Sequence, residues 1–514
     1  MRAESEILVS ASNSLIMLRI SENELDHPLK SIMISLLRRL TMMALQRSIT
    51  ESLAQWKNRP HHPLILKGLK KTGKTFSVRE FGSQYYKNTV YLDLRNNTSL
   101  HKAFKGSFDV NEMIISLSAE KPDTLFLPGE TLIILDEIQD CPNARSSLKY
   151  WDLDGRFDVI ATGSFLGVKG FRQVYSRGIP VGYEEQMTMH PLTFLEFLDN
   201  LGMKEDVIAY IRSCIQKKEK ILPAVHQSFR KYYLQYLIVG GMPEAVNCFL
   251  NTHDMNQVKT VQNSILQSIK DDFGRYFDAR GNEKINEVLK RRAEACLESL
   301  PEQLSKEYKK FQFSLVNTKG TSVDKANGLQ YLCDLGLALK SYNLKEISTP
   351  LAAQAINNEF KVFFPDTGLL ISQLGQGAAA AILNGDISAY KGAVAENMAA
   401  ALLANKDQGL FYYRGRSGSP ELDFILDDLG VPVIVECKST NNRATSMKYV
   451  LAHPEKYGTH PAVKIADTNI GTGDGFVTYP LYALEFLIRD PEPLLVEPDD
   501  PSSLSKLLAD ISQQ

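Results

Sequence analysis

Two stretches of the chain carry residue types at spacings suited to phosphate chemistry. The first, "GLKKTGKT", sets Gly68, Gly73, Lys74 and Thr75 in the order G-x-x-x-x-G-K-[ST]. It follows the apolar run "LILK" and precedes the helical "FSVREFGSQYY". Glycines at these positions let main-chain N–H groups wrap a phosphate, and the following helix adds its positive end. The pattern assigns Lys74 to the β/γ-phosphates and Thr75 to Mg2+. The second stretch, "TLIILDEIQD", reads as a fully buried strand with Asp136 and Glu137 at its carboxyl end, the edge where open parallel sheets bind ligands. Asp136 is expected to support the Mg2+ shell and Glu137 to polarise the attacking water. Thr162 and Ser164 close the next strand, "FDVIATGS", where one of them can touch the γ-phosphate or simply make a turn. Arg177, in "YSRGIP", is either an arginine finger or a solvated surface arginine.

A third constellation lies far downstream, in "ELDFILDDLGVPVIVECK". Read as a β-hairpin with Asp427–Gly430 as a four-residue loop, it pairs Leu426 with Val431, Asp423 with Ile434, and Glu421 with Glu436. Residues 421, 423, 434, 436 and 438 then share one face, and Asp423, Glu436 and Lys438 converge with Glu421 beside them. Like charges opposite one another destabilise a sheet, so such a face suits a divalent cation held by Asp423 and Glu436. Lys438 would then orient a water for phosphodiester cleavage. Glu396, in the small-residue helix "GAVAENMAAA", adds a further acid. The competing reading is a ribbon with charges on its wet face, and a one-residue slip would turn Asp423 away.

The elements that must position these residues change character along the chain. Residues 1–47 form an N-terminal extension, in which "LKSIMISLLRRLTMMALQ" has helical periodicity and the segment before it gives no clear element. Over 48–214, the strands "PLILKG", "TVYLDL", "TLIILDE" and "FDVIAT" alternate with helices, the pattern of a parallel sheet covered on both faces. Residues 215–310 read as helical, broken at "GGMP". In 311–384, "ANGLQYLCDLGLALKSYNL" reads as a helix, a Gly336 cap and a strand, which suits a winged helix, and the hinge "GQGAAAAILNGD" follows. Residues 385–490 alternate helix and strand again, and 491–514 form an acidic, Pro-rich tail.

The order of motifs closely resembles a large prokaryotic family of AAA-type P-loop ATPases whose C-terminal region is known only as a domain of unknown function. The resemblance rests on "PLILKGLKKTGKTFSVREFG", "TLIILDEIQDCPNARSSLKYW" and "VIATGSFLGV" in the first half. In the second it rests on "YLIVGGMPEAV", "KDDFGRYF", "FKVFFPDTGLL", "AENMAAALL", "YYRGRSGSPELDFIL" and "IVECKS". It covers about residues 48–470. It implies an α/β P-loop NTPase, then a helical and winged-helix region, then a restriction-endonuclease-like domain of the PD-(D/E)xK type. The phosphate-loop residues carry over to Gly68, Gly73, Lys74 and Thr75, and the acidic pair to Asp136 and Glu137. The nuclease-like signature carries over to Glu396, Asp423, Glu436 and Lys438.

Composition narrows the remaining choices. A net charge of -2 offers no global basic field, so any nucleic-acid surface must be local. Six scattered cysteines without a CxxC pair argue for a reducing compartment and against structural zinc or disulfides. The opening "MRAESEILVSASNS" lacks the layout of a signal peptide, and no apolar run reaches the roughly 18 residues of a membrane span. The expectation is a cytoplasmic ATPase using ATP and Mg2+ that acts on, or is switched by, DNA or other nucleic acid. The alternative is a nucleotide-gated interaction protein with a catalytically silent nuclease-like fold, engaging a protein partner or a second copy of itself.

Overall fold

Side chains alternate across a strand, so a strand apolar on both sides needs cover on both faces. The computed structural model describes residues 5–11, 14–20, 44–164, 182–273, 283–306, 309–375, 377–386, 392–416, 420–439, 443–473 and 475–488. Arg177, the 491–514 tail and most of the N-terminal helical segment lie outside the described residues. The chain divides into two units, Met1–Gln46 and Arg47–Gln514. In the first, β1 (Ser5–Ala11) and β2 (Ser14–Ile20) pair antiparallel, Ser5 opposite Ile20 and Ala11 opposite Ser14. Sequence reading assigned no element there, because the apolar runs "ILV" and "LIML" are short and flanked by polar residues.

The second unit opens with a five-stranded sheet of β3 (Leu64–Lys67), β4 (Asn88–Asp93), β5 (Thr131–Asp136), β6 (Asp158–Gly163) and β7 (Glu185–Thr188). The order is β4-β5-β6-β3-β7, with every pairing parallel. All six residues of β5 are buried, and the residues of the sheet divide between two cores. Ile133, Leu135, Val159 and Ala161 pack on one face with Trp151 and Phe104. Leu132, Ile134, Ile160 and Leu66 pack on the other with Trp56 and Phe81. The sequence "EQMT" gives β7 no apolar signal, and none of its four residues is buried.

Helices Phe194–Asn200, Glu205–Lys217, Pro223–Val239, Pro243–Thr252, Met255–Asp271 and Glu283–Leu304 follow. Helix Ser322–Asp334 then leads through Gly336, at φ 71°, into β8 (Leu339–Leu344) and β9 (Ala355–Phe363), an antiparallel pair. The remaining strands are β10 (Phe411–Arg414), β11 (Glu421–Leu422), β12 (Phe424–Asp428), β13 (Val431–Lys438), β14 (Ala462–Ala466), β15 (Gly471–Gly473) and β16 (Phe476–Pro480). They make two sheets, β11-β10-β8-β9 and β12-β13-β14-β16-β15. The first sheet crosses the boundary expected at 384/385, since Phe411, Tyr412 and Tyr413 of β10 pair with Tyr342, Asn343 and Leu344 of β8.

The hairpin differs from expectation by two residues. Asp428 pairs with Val431, which leaves only Leu429 and Gly430 in the loop, at φ 53° and 86°. Leu426 faces Val433, and Ile425 faces Ile434. Two adjacent left-handed residues give the turn whose twist matches the flanking strands, and Asp427 accepts the Gly430 N–H at 2.7 Å. A two-residue shift keeps each side chain on its face, so Asp423 stays beside Glu436. Glu421 does not, because Glu421 and Leu422 pair with β10 in the other sheet and the chain joins this one only from Phe424. Among the described residues no helix is long and apolar enough to cross a membrane.

Candidate functional site

The first site lies at the carboxyl ends of β3 and β5. Gly68 ends β3 at φ 153°, and a β-carbon there would stand 2.2 Å from the Met189 carbonyl oxygen, so only glycine fits. The chain turns through Lys71 and Gly73, both at positive φ, into helix Lys74–Tyr85. Lys74 folds back into the loop, its Nζ donating to the carbonyls of Gly68 and Leu69 at 2.9 Å each. Burial lowers its ammonium to about 8, against the opposing pull of Glu137 and Asp136. Thr75 Oγ1 donates to Asp136 Oδ1 at 2.9 Å, and the Thr162 hydroxyl donates to the same oxygen. The other oxygen, Oδ2, accepts from the Tyr91 hydroxyl at 2.7 Å.

Glu137 follows in a left-handed conformation, φ 55°, which swings its side chain out of the strand direction. Burial raises its carboxyl, while Arg95 Nη2 holds Oε2 at 3.0 Å. Arg95 also donates to Asp140 at 2.7 Å and stands 3.8 Å from Asp272, at the end of the helical region. Lys70, inside the loop, pairs with the same Asp272 at 2.6 Å. Ser164 is buried immediately after β6, next to the strand end that carries Thr162. Two oxygen donors, Thr75 and Asp136, converging beside Lys74 at the turn from β3 into the helix suit a hard cation carried on a triphosphate.

The second site collects around helix Ala393–Asn405, β9 and β13. Lys438 Nζ lies 2.5 Å from Glu436 and 3.8 Å from Asp423, which also accepts the Cys437 N–H at 2.9 Å. Glu396 pairs with Lys309, and its second oxygen is 3.7 Å from Lys361. Lys361 reaches Glu421 at 2.9 Å, and Arg414 reaches it at 3.4 Å. The four acids therefore sit among four cations: Lys309, Lys361, Lys438 and Arg414. Burial pushes Glu436 up to about 8, with Asp423 adding to it. Asp423 rises as well, chiefly through burial, whereas the lysines outweigh burial at Glu396 and lower it. Among the described residues no group of three or more His, Cys, Asp or Glu is placed to hold a metal ion. Asp423, Glu436 and Lys438 do meet, but Lys438 occupies the gap between the acids. As arranged, the donors do not fit the cation expected on Asp423 and Glu436.

Comparison with known proteins bears on the first site. Residues 60–198 match a family model described as an AAA domain. This segment is an AAA-type P-loop ATPase-like domain. Residues 230–380 and 391–484 match two models, each described as a domain of unknown function. Solved structures with similarity include the Walker-type ATPase PABY2304 of Pyrococcus abyssi, at 14% identity and TM-score 0.38, covering 64% of this chain and 96% of that one. Another is the Aeropyrum pernix ORC1 protein in complex with DNA, at 14% identity and TM-score 0.26, covering 68% and 92%. Scores this low carry no argument about function. No curated protein matches.

In the ATPase-like domain, sequence reading placed Gly68, Gly73, Lys74, Thr75 and Asp136 at one sheet edge, where the structure brings them together. It missed Tyr91, Arg95 and Lys70, and it missed Asp272 outside that domain. Tyr91, Arg95 and Asp272 sit in no local pattern, and Lys70 occupies a position that the phosphate-loop pattern leaves open. The only available signals were a polar residue at the end of a β-strand and the doubled acid of "KDDF".

Proposed function

We propose that this chain binds and hydrolyses ATP in a Mg2+-dependent reaction, and that the nucleotide controls the placement of the C-terminal region. The observation that carries the first part is the contact of Thr75 with Asp136 beside Lys74. In this reading main-chain N–H groups from Gly68 to Gly73 bind the phosphates. Lys74 leaves the two loop carbonyls to neutralise them. Thr75 and Asp136 hold the Mg2+, which would withdraw charge from the phosphate oxygens. Glu137 orients the attacking water, and Ser164 faces the γ-phosphate. The test is nucleotide binding by purified protein: Lys74→Ala should abolish it, and unchanged affinity would reject the assignment.

A continuous set of contacts supports the second part. Pro243 Cγ lies 3.6 Å from where a Gly73 β-carbon would stand, so the "GGMP" turn rests against the phosphate loop. In the same turn the Gly241 N–H donates to Asp366 at 2.5 Å. Asp366 follows the chain that carries Lys361, and the Phe364 N–H between them donates to Asn397 at 2.8 Å. Asn397 adjoins Glu396 of the carboxylate cluster. Nucleotide entering the loop would press on this chain of contacts and on the Lys70–Asp272 pair.

For the winged-helix-like and nuclease-like parts, the lysine-filled cluster favours a catalytically silent module that docks a partner, nucleic acid or protein. The D…E-x-K order of Asp423, Glu436 and Lys438 supports metal-dependent cleavage as the second reading. Incubating DNA and RNA with protein and divalent cation separates the two. Cleavage lost in Lys438→Ala would establish the second, and no cleavage by wild type supports the first.

A further inference from the structure

We propose that Tyr91 is a positioning residue of the metal–nucleotide site, fixing the rotation of the Asp136 carboxylate; this rests on the reading of that site given above. Tyr91 lies on β4 opposite Ile134 of β5, two residues before Asp136 and therefore on the same face. Its hydroxyl donates to Asp136 Oδ2 at 2.7 Å, while the hydroxyls of Thr75 and Thr162 both donate to Oδ1. Three hydroxyls from two strands and a helix thus divide the two carboxylate oxygens between them.

That division has a chemical use. A threonine hydroxyl that gives a lone pair to a cation must send its proton to an acceptor, and Oδ1 of Asp136 accepts it from Thr75. Carboxylate rotation about its terminal bond is soft, so the torsion itself does not keep Oδ1 in that direction, and contacts on both oxygens must. The Tyr91 hydroxyl does so by occupying Oδ2. The ring is held in turn by the Arg79 guanidinium, 4.8 Å from its centroid, one helical turn beyond Thr75.

The test uses the full chain and a fluorescent ATP analogue, titrated with Mg2+ and separately in EDTA. Tyr91→Phe keeps the ring and removes the hydroxyl. Affinity in EDTA should stay within about twofold, while half-saturating Mg2+ rises about fivefold or more, the scale of one hydrogen bond to a charged acceptor. A Mg2+ requirement within twofold of wild type overturns the proposal. So does an equal loss of affinity in EDTA, which would make Tyr91 merely structural. Should the Phe variant not fold, Arg79→Met leaves the hydroxyl and frees the ring. A smaller rise in half-saturating Mg2+ is expected of it, and no rise overturns the proposal. Failure of the wild type to bind the analogue at all counts instead against the ATP-binding reading.

Discussion

Lys74 rests its ammonium on two carbonyls of its own loop, where burial lowers it to about 8. A bound triphosphate favours the charged form, so binding above pH 8 must take up a proton. Nucleotide affinity is therefore expected to be flat below pH 8 and to fall above it, approaching about tenfold per pH unit. A titration calorimetry series across that range checks it. At Glu137, replacement by Gln keeps the size of the side chain and removes its ability to polarise water. Binding should survive and turnover should fall at least about a hundredfold in a phosphate-release assay. Gly68 and Lys74 were legible in the sequence because loop geometry fixes their spacing along the chain, and Asp136 because it ends a wholly apolar run. Tyr91, Arg95 and Asp272 were not, since each works through a partner on another element. Lys361 was hidden for the same reason: nothing in "FKVFF" reveals a cation aimed at Glu396 and Glu421.

Turns decide which strands meet, and two of them can be altered with foreseeable results. Leu429 stands 87% exposed in a left-handed conformation that leucine disfavours. Leu429→Asn should stabilise the protein by roughly 0.5–1 kcal/mol, read from chemical denaturation. Gly240 has φ 70°, and a β-carbon there would lie 2.3 Å from Asp366 Oδ1. Gly240→Ala should cost about 2–4 kcal/mol by the same measurement, through strain and displacement of that buried acid. At this scale β3, β4, β5 and β6 were readable as aliphatic runs, whereas β7 was not, being short and polar. The hairpin register was misjudged because "DDLG" reads equally as a four-residue loop or as a two-residue turn after an acidic strand end. Periodicity alone does not choose between registers two residues apart.

Across the whole molecule, contacts run from the phosphate loop through the "GGMP" turn and Asp366 to Asn397. Asp272→Ala removes the buried acid shared by Lys70 and Arg95 while leaving the loop and its glycines intact. Nucleotide should still bind, but the protection it gives the helical and C-terminal regions against limited proteolysis should weaken; protection unchanged from wild type would mean that Asp272 transmits nothing. The broad order of regions was legible, since each has its own periodicity. Their merging was not, because β8 and β10 carry unremarkable sequences and meet only in space. That meeting has a practical consequence for anyone dissecting the protein. A polypeptide stopped short of residue 385 would retain β8 with a bare row of amides and carbonyls along the side that β10 covers. Unmated edges of that kind recruit other chains, so the shortened protein is expected to clump rather than behave as an independent ATPase.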